Sequence, residues 1–230
     1  MHRSEIIRYL VLRSIGNFLV LFAVFGAVAT FGPAIYYEIQ YKIIQLRGIN
    51  FSIGRTQDFS ETAEIKKPSF GFADVLSGPK DQILTPIDPI FNILIPKIGA
   101  NAKIFPNVDP SNPDVFLPVL QYGVAHAQGT FFPSQAGNIY LFAHSADIFW
   151  NVGRYNAIFY LLKNLQAGDD IAIFYQNVRH NYTVKNLGII DPSEVSFITH
   201  SQTGKEQLIL QTCWPPGTTW QRLIVFAEPK

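Results

Sequence analysis

The chain has 230 residues, of which 15% are charged and 14% aromatic, and its formal net charge is +1. So apolar and so nearly neutral a chain is neither intrinsically disordered, which takes low hydrophobicity and high net charge, nor a nucleic-acid binder, which carries a basic excess. One cysteine, Cys213, excludes a disulfide framework and any multi-cysteine zinc site.

In chain order the first element is a membrane anchor. Between Arg13 and Glu38 lie 24 uncharged residues. As a helix they reach about 36 Å, enough to cross a hydrocarbon core of about 30 Å. Arg3, Arg8 and Arg13 precede the run against one acid, Glu5. The positive-inside bias therefore puts the N-terminus in the cytoplasm and everything after Glu38 outside, as a single-pass plasma-membrane protein. Pro33 falls near the outer end, where a helix break is tolerable. Ala27-Val28-Ala29 also fits a signal-peptide cleavage pattern, but the apolar run continues through Phe31, Ala34, Ile35, Tyr36 and Tyr37, which favours an uncleaved anchor. The expected division is 1–13 cytoplasmic, 14–37 transmembrane, 38–89 stalk and 90–230 a folded domain.

Residues 38–46 have the composition to continue the helix. Gly48, Gly54, Pro68, Gly71, Gly78, Pro79, Pro86 and Pro89 then mark a partly ordered linker, in which 69–75 reads as a short helix or strand. From about residue 90 onward the pattern is all-β. Short apolar or alternating runs at 93–95, 138–143, 170–175, 182–190, 207–212 and 222–227 are separated by turn residues, as in a sandwich or small barrel. One short helix is expected within 154–164, where Ile158, Leu161, Leu162 and Leu165 have helical spacing, before the turn at Gly168-Asp169.

Cys213 ends the run Gln207-Leu208-Ile209-Leu210-Gln211-Thr212-Cys213. Strand period 2 puts Leu208, Leu210 and Thr212 on one face and Ile209, Gln211 and Cys213 on the other. A free cysteine is commonly a small buried hydrophobe. In an exported chain, however, an unpaired thiol is a liability unless it is used, and a nucleophilic thiol needs a base or cation beside it. Two histidines compete as that base. His144 closes the strand Asn138-Ile139-Tyr140-Leu141-Phe142-Ala143, and His126 sits in Gly123-Val124-Ala125-His126-Ala127. His180 and His200 lie in polar, turn-like segments. Arg222 follows Cys213 by nine residues, so an antiparallel return brings a guanidinium beside the thiol, suited to a substrate carbonyl or a developing oxyanion.

Taken together these residues resemble the sortase family, from about residue 93 to the C-terminus. Ile209-Leu210-Gln211-Thr212-Cys213 is similar to the sortase pattern Thr-Leu-x-Thr-Cys, and Cys213-Trp214-Pro215-Pro216-Gly217 followed by Arg222 to the stretch leading to the family's arginine. Gly123 through His126, Gly129-Thr130, Pro133, Gly137-Asn138 and His144 resemble the segment leading to its histidine, and Tyr182-x-Val184 a later strand. The resemblance implies a mainly β fold: a closed, roughly eight-stranded barrel with short helices behind one transmembrane helix. It also implies a cysteine transpeptidase that cleaves a Leu-Pro-x-Thr-Gly-like C-terminal sorting signal. Cys213 would attack the scissile carbonyl, His144 would protonate the leaving amine and Arg222 would hold substrate and oxyanion. Thr212, His126, Ser145 and Trp214 would support the site, with His126 a structural neighbour. An amine from a cell-wall precursor or a pilin lysine would resolve the thioacyl enzyme. Such a protein acts on exported proteins at the membrane, and no nucleic acid, cofactor or metal is expected.

Three features depart from the family pattern. Ala143 and Ser145 flank His144 where many sortases carry Gly and Arg, Ile209 stands in a Thr position, and no second membrane segment follows Lys230, which points to a single-anchor class. Residues 69–89 are the expected cover for the cleft. A mainly hydrolytic cysteine peptidase and a silent peptide-binding domain are the competing functions.

Overall fold

The computed structural model of the chain describes residues 3–54, 80–145 and 158–230. The 69–75 run, most of the expected cover and the first residues of the helix expected within 154–164 lie outside them.

Helix α1 spans Arg3–Arg47 without interruption. Its segment Ser4–Ala29 is long and apolar enough to cross a membrane, and none of that window is buried against the protein. The helix passes Pro33 and continues well beyond the uncharged run. Two short strands, β1 (Asn50–Ile53) and β2 (Asp81–Leu84), then pair in parallel. They lie over the outer wall of the barrel, where Ile53 and Leu84 pack on Leu94, Ala172 and Phe174.

The barrel strands are β3 (Phe91–Ile95), β4 (Ala100–Val108), β5 (Val124–Ala127), β6 (Asn138–Phe142), β7 (Asp170–Tyr175), β8 (Val178–Ile190), β9 (Gln207–Trp214) and β10 (Gln221–Pro229). They close in the order β10-β8-β7-β3-β4-β5-β6-β9. The expected fold class is therefore the one adopted: a mainly β, closed eight-stranded barrel with few short helices, behind one apolar helix. Two contacts are parallel, β4 with β5 and β6 with β9. Helix α2 (Pro113–Leu120), capped by the Asn112 side chain accepting from the Asp114 N–H, makes the crossover between β4 and β5. Gly123 is required where α2 hands over to β5, because a Cβ there would meet the Lys103 carbonyl oxygen at 2.4 Å.

Alternation sorts the barrel into two packed layers. Ile93, Ile95, Ile104, Val124, Ile139, Leu141, Ile171, Ile173, Leu208, Leu210, Leu223 and Val225 fill the interior. Ala125, Ala127, Tyr140, Phe142, Ile209 and Ile224 form a second cluster outside the wall, with Leu120 of α2. Within the region expected to be helical, the described part is a 3-10 helix, Tyr160–Asn164. Phe159, Tyr160, Leu161, Leu162 and Leu165 are all buried, so the turn packs into the core around most of its circumference rather than along one helical face.

Strand directions fix which features share a barrel end. β6 and β9 are parallel and β10 opposes β9, so the last residues of β6 and β9 meet the first of β10. The end of β8 reaches the same place through Ile190↔Arg222. β7 opposes β8 and β3 opposes β7, so the Tyr160–Asn164 turn before β7 and the Pro96–Ile98 turn after β3 point to that same end.

Candidate active site

The alternation expected for β9 is realised. Leu208 and Leu210 face the barrel interior, and Ile209 belongs to the outer cluster. Cys213, two steps of two beyond Ile209, emerges on the outer face at the strand's end, half-buried and without a disulfide. Arg222 is its direct cross-strand partner in β10. Residues directly opposite in an antiparallel pair hold their Cβ atoms about 5 Å apart, so the guanidinium stem and the thiol rise side by side. The Arg222 head donates Nη1–H to the carbonyls of Thr219 and Gln221, at 3.0 Å each, which fastens it to the loop beyond Cys213.

His144 arrives from the other side. The parallel register of β6 with β9 runs from Asn138↔Gln207 to Phe142↔Gln211. It is continued by the Ala143 N–H donating to the Gln211 carbonyl at 3.2 Å and the Thr212 Oγ1–H donating to the Ala143 carbonyl at 2.9 Å. His144 follows directly after Ala143, so it leaves β6 at the barrel end where Cys213 and Arg222 stand paired. A thiol, an imidazole and a guanidinium thus gather at one barrel end from positions up to 78 residues apart in the chain.

Burial pushes the Cys213 thiol up from its ordinary pKa, and the positive charge of Arg222 pulls the other way. The resting thiol therefore holds its proton at neutral pH and needs a base to form the nucleophile. Arg222 also favours ionisation of Asp191, though the hydrogen bonds from Ser193 contribute more to holding that carboxyl low.

The other sequence-derived candidates fall in different places. Thr212 is buried, on the interior face, and reaches the site through the Ala143 carbonyl. Ser145 is buried directly after His144. Trp214 is half-buried against the interior cluster. His126 is fully buried and points inward among Phe91 and Phe132, at ring distances of 5.9 and 4.4 Å. The Asn107 N–H donates to its Nδ1 at 3.3 Å, and its Nε2 lies 2.9 Å from the Phe131 carbonyl. That pattern is satisfied by a neutral ring with the proton on Nε2, and burial lowers its pKa accordingly. Both nitrogens are committed, so spacing alone overrated His126 as a partner for the thiol.

Sequence reasoning did not single out Tyr140 and Gln211. Both lie on the outer face, two residues before Phe142 and Cys213 respectively, and the Tyr140 hydroxyl donates to Gln211 Oε1. Burial raises the Tyr140 pKa, so the phenol remains a donor. The signal that marks them is period 2 counted back from His144 and Cys213.

Fold and site together define a closed β-barrel protein carrying a lone thiol at one end, with a histidine and an arginine from neighbouring strands. The chain belongs to the sortase family: the family model described as the sortase domain matches residues 93–230. It is 28% identical over 137 residues to Sortase D of Bacillus subtilis (strain 168), across 58% of this chain and 60% of that protein, so it spans less than two thirds of that relative's length. Among solved structures it resembles a Clostridium perfringens Sortase D5 transpeptidase, with TM-score 0.50 and 25% identity, covering 63% of this chain and 81% of that one. It is similar to the same degree to sortase C-1 from Actinomyces oris, with TM-score 0.50 and 26% identity, covering 63% and 75%. Sortases are in general cysteine transpeptidases of the cell surface.

Proposed function

We propose that this protein is a membrane-anchored cysteine transpeptidase that cuts a Leu-Pro-x-Thr-Gly-like sorting signal and passes the acyl fragment to an amine. The observation that supports the reading is Cys213 paired directly with Arg222 across β9 and β10, with His144 following β6 at the same barrel end. His144 takes the thiol proton, and the thiolate attacks the scissile carbonyl carbon. The carbonyl oxygen becomes an oxyanion held by the Arg222 guanidinium. The carbon–nitrogen bond then breaks, the imidazolium gives its proton to the departing amine, and a thioester remains on Cys213. An incoming amine, from a cell-wall precursor or a pilin lysine, attacks the thioester. The thiolate leaves, and His144 and the thiol recover their starting protonation. Residues 1–13 lie in the cytoplasm, 14–37 in the plasma membrane, 38–89 lead outward and 90–230 carry the chemistry outside.

The test is to incubate the full chain, in detergent, with a Leu-Pro-x-Thr-Gly peptide library with and without an added amine, and to follow Cys213 by intact mass. The expected result is an acyl adduct that is absent in Cys213→Ala and disappears when the amine is added, with amide product formed. An unreactive thiol in the folded protein defeats the reading in favour of a silent binding domain. Adduct that yields only acid, even with amine present, replaces transpeptidation with hydrolysis.

A further inference from the structure

The anchor helix continues past the membrane run and docks on the barrel. Tyr37 packs on Tyr160, with ring centroids 6.1 Å apart. The Glu38 carboxylate lies 3.0 Å from Lys163 Nζ, which also sits over the Tyr160 ring at 4.4 Å. Tyr37 and Tyr41 both pack against the interior cluster, through the barrel mouth that Phe159 to Leu165 plug. One turn further, Ile44 and Ile49 are buried with Phe51. Burial alone would lower the Lys163 pKa; the hydrogen bond and charge of Glu38, together with Tyr160, outweigh it and raise it, so Lys163 keeps its charge at the contact.

Two lengths, that of the uncharged run and that of a hydrocarbon core, set the height of this contact. The 24 uncharged residues from 14 to 37 rise about 36 Å, against about 30 Å of hydrocarbon. With Arg13 at one interface, Tyr36 and Tyr37 fall in the opposite headgroup layer, where amphipathic aromatic rings concentrate. The Tyr160–Asn164 turn rests on Tyr37 and Glu38, so it stands at that same level. By the strand directions given above, this turn belongs to the barrel end that carries Cys213, Arg222 and His144.

We propose that the barrel is seated directly on the lipid headgroups with its Cys213 end toward the membrane, held by the docking of Tyr37, Glu38 and Tyr41 on the Tyr160–Asn164 turn. The partner surface is a phospholipid headgroup layer. A chain emerging from the bilayer meets the thiol within a short distance of the lipid, whereas the opposite barrel end, at Gln207 and Lys205, faces away. From Gln207 to Cys213 the strand rises about 20 Å, which separates the two ends clearly in depth. The seating goes beyond the transpeptidase reading and does not depend on it.

The experiment uses the full chain in phosphatidylcholine–phosphatidylglycerol vesicles containing a lipid with a nitroxide on its headgroup. A small fluorophore is placed on the native Cys213. In a Cys213→Ser background it is placed instead at Gln166→Cys, beside the plugging turn, or at Lys205→Cys. Severalfold stronger quenching at positions 213 and 166 than at 205 is expected. Equal quenching at all three, as for a barrel swinging on a flexible stalk, or stronger quenching at 205, overturns the proposal. Lys163→Glu, which sets two carboxylates against each other, is expected to flatten the difference between 166 and 205, and Glu38→Lys with Lys163→Glu to restore it. A depth difference untouched by Lys163→Glu refutes the docking contact as its cause. The readout is quenching alone, so it stands or falls separately from any failure to detect peptide transfer.

Discussion

Replacing Thr212 by Val tests how β9 holds the start of the His144 segment. Thr212 is 2% exposed, and its hydroxyl donates to the Ala143 carbonyl at 2.9 Å, the peptide immediately before His144. Valine keeps the volume and branching and removes only the donor. A net hydrogen bond contributes about 1 kcal/mol, and a buried acceptor left without it costs about 1–3 kcal/mol, so a loss of about 1–2 kcal/mol is expected. For a domain of this size about 2–4 °C accompanies each kcal/mol, which gives a fall of roughly 2–8 °C in the melting midpoint. Thermal unfolding of the full chain in detergent, followed by near-ultraviolet circular dichroism, measures it. The same sample reports the site: iodoacetamide alkylation of Cys213 across pH should show a changed profile, because His144 loses part of its fixed approach. Thr212→Ser, which keeps the donor, should retain most of the stability and the wild-type profile. A Thr212→Val protein that melts and alkylates like wild type would refute the reasoning.

Two further outcomes follow from charge and burial. The Arg222 charge opposes the effect of burial on Cys213, so Arg222→Gln should move the alkylation profile to higher pH; a shift to lower pH contradicts the assignment. His126 is held neutral in the folded state, whereas the unfolded chain takes up a proton on it below about pH 6.5, so stability is lost as pH falls through that value. The non-titrating His126→Gln should be less stable at neutral pH yet lose stability less steeply on acidification, by up to about 1.4 kcal/mol per pH unit; equal slopes in urea unfolding count against this role.

The strands that were legible in the sequence are those whose alternation uses large side chains. β9 and β10 carry the unbroken runs Leu208-Ile209-Leu210 and Leu223-Ile224-Val225-Phe226, and the nine-residue interval from Cys213 to Arg222 announced their hairpin. β4 and β5 went unnoticed because Ala100, Ala102, Ala125 and Ala127 fill inward or clustered positions with one methyl each, and because Pro106 interrupts β4. Helix α2 was disguised by Pro118 inside it, although Asn112-Pro113 is a proper helix start. The meeting of β6 with β9 was not legible at all: parallel pairing across 69 residues depends on barrel closure, which no local pattern records. For the same reason His126 and His144 looked interchangeable. Their difference lies in place: His126 is buried within β5, whereas His144 follows β6 at the barrel end.

The register of β9 with β10 has a consequence for how such a protein can diversify. Seven consecutive pairs, from Gln221↔Trp214 to Ala227↔Leu208, fix the hairpin from within the barrel wall. The residues between Trp214 and Gln221 therefore do not place Cys213 opposite Arg222; the strands do. The connection, tied internally by Thr218 to the Pro215 carbonyl, amounts to an interchangeable cassette hung over a fixed pair of reactive side chains. Its outer side chains, including the exposed Trp220, are free to drift or to be exchanged by design while the strands keep Cys213 opposite Arg222, so long as the carbonyls of residues 219 and 221 stay in place to hold the guanidinium.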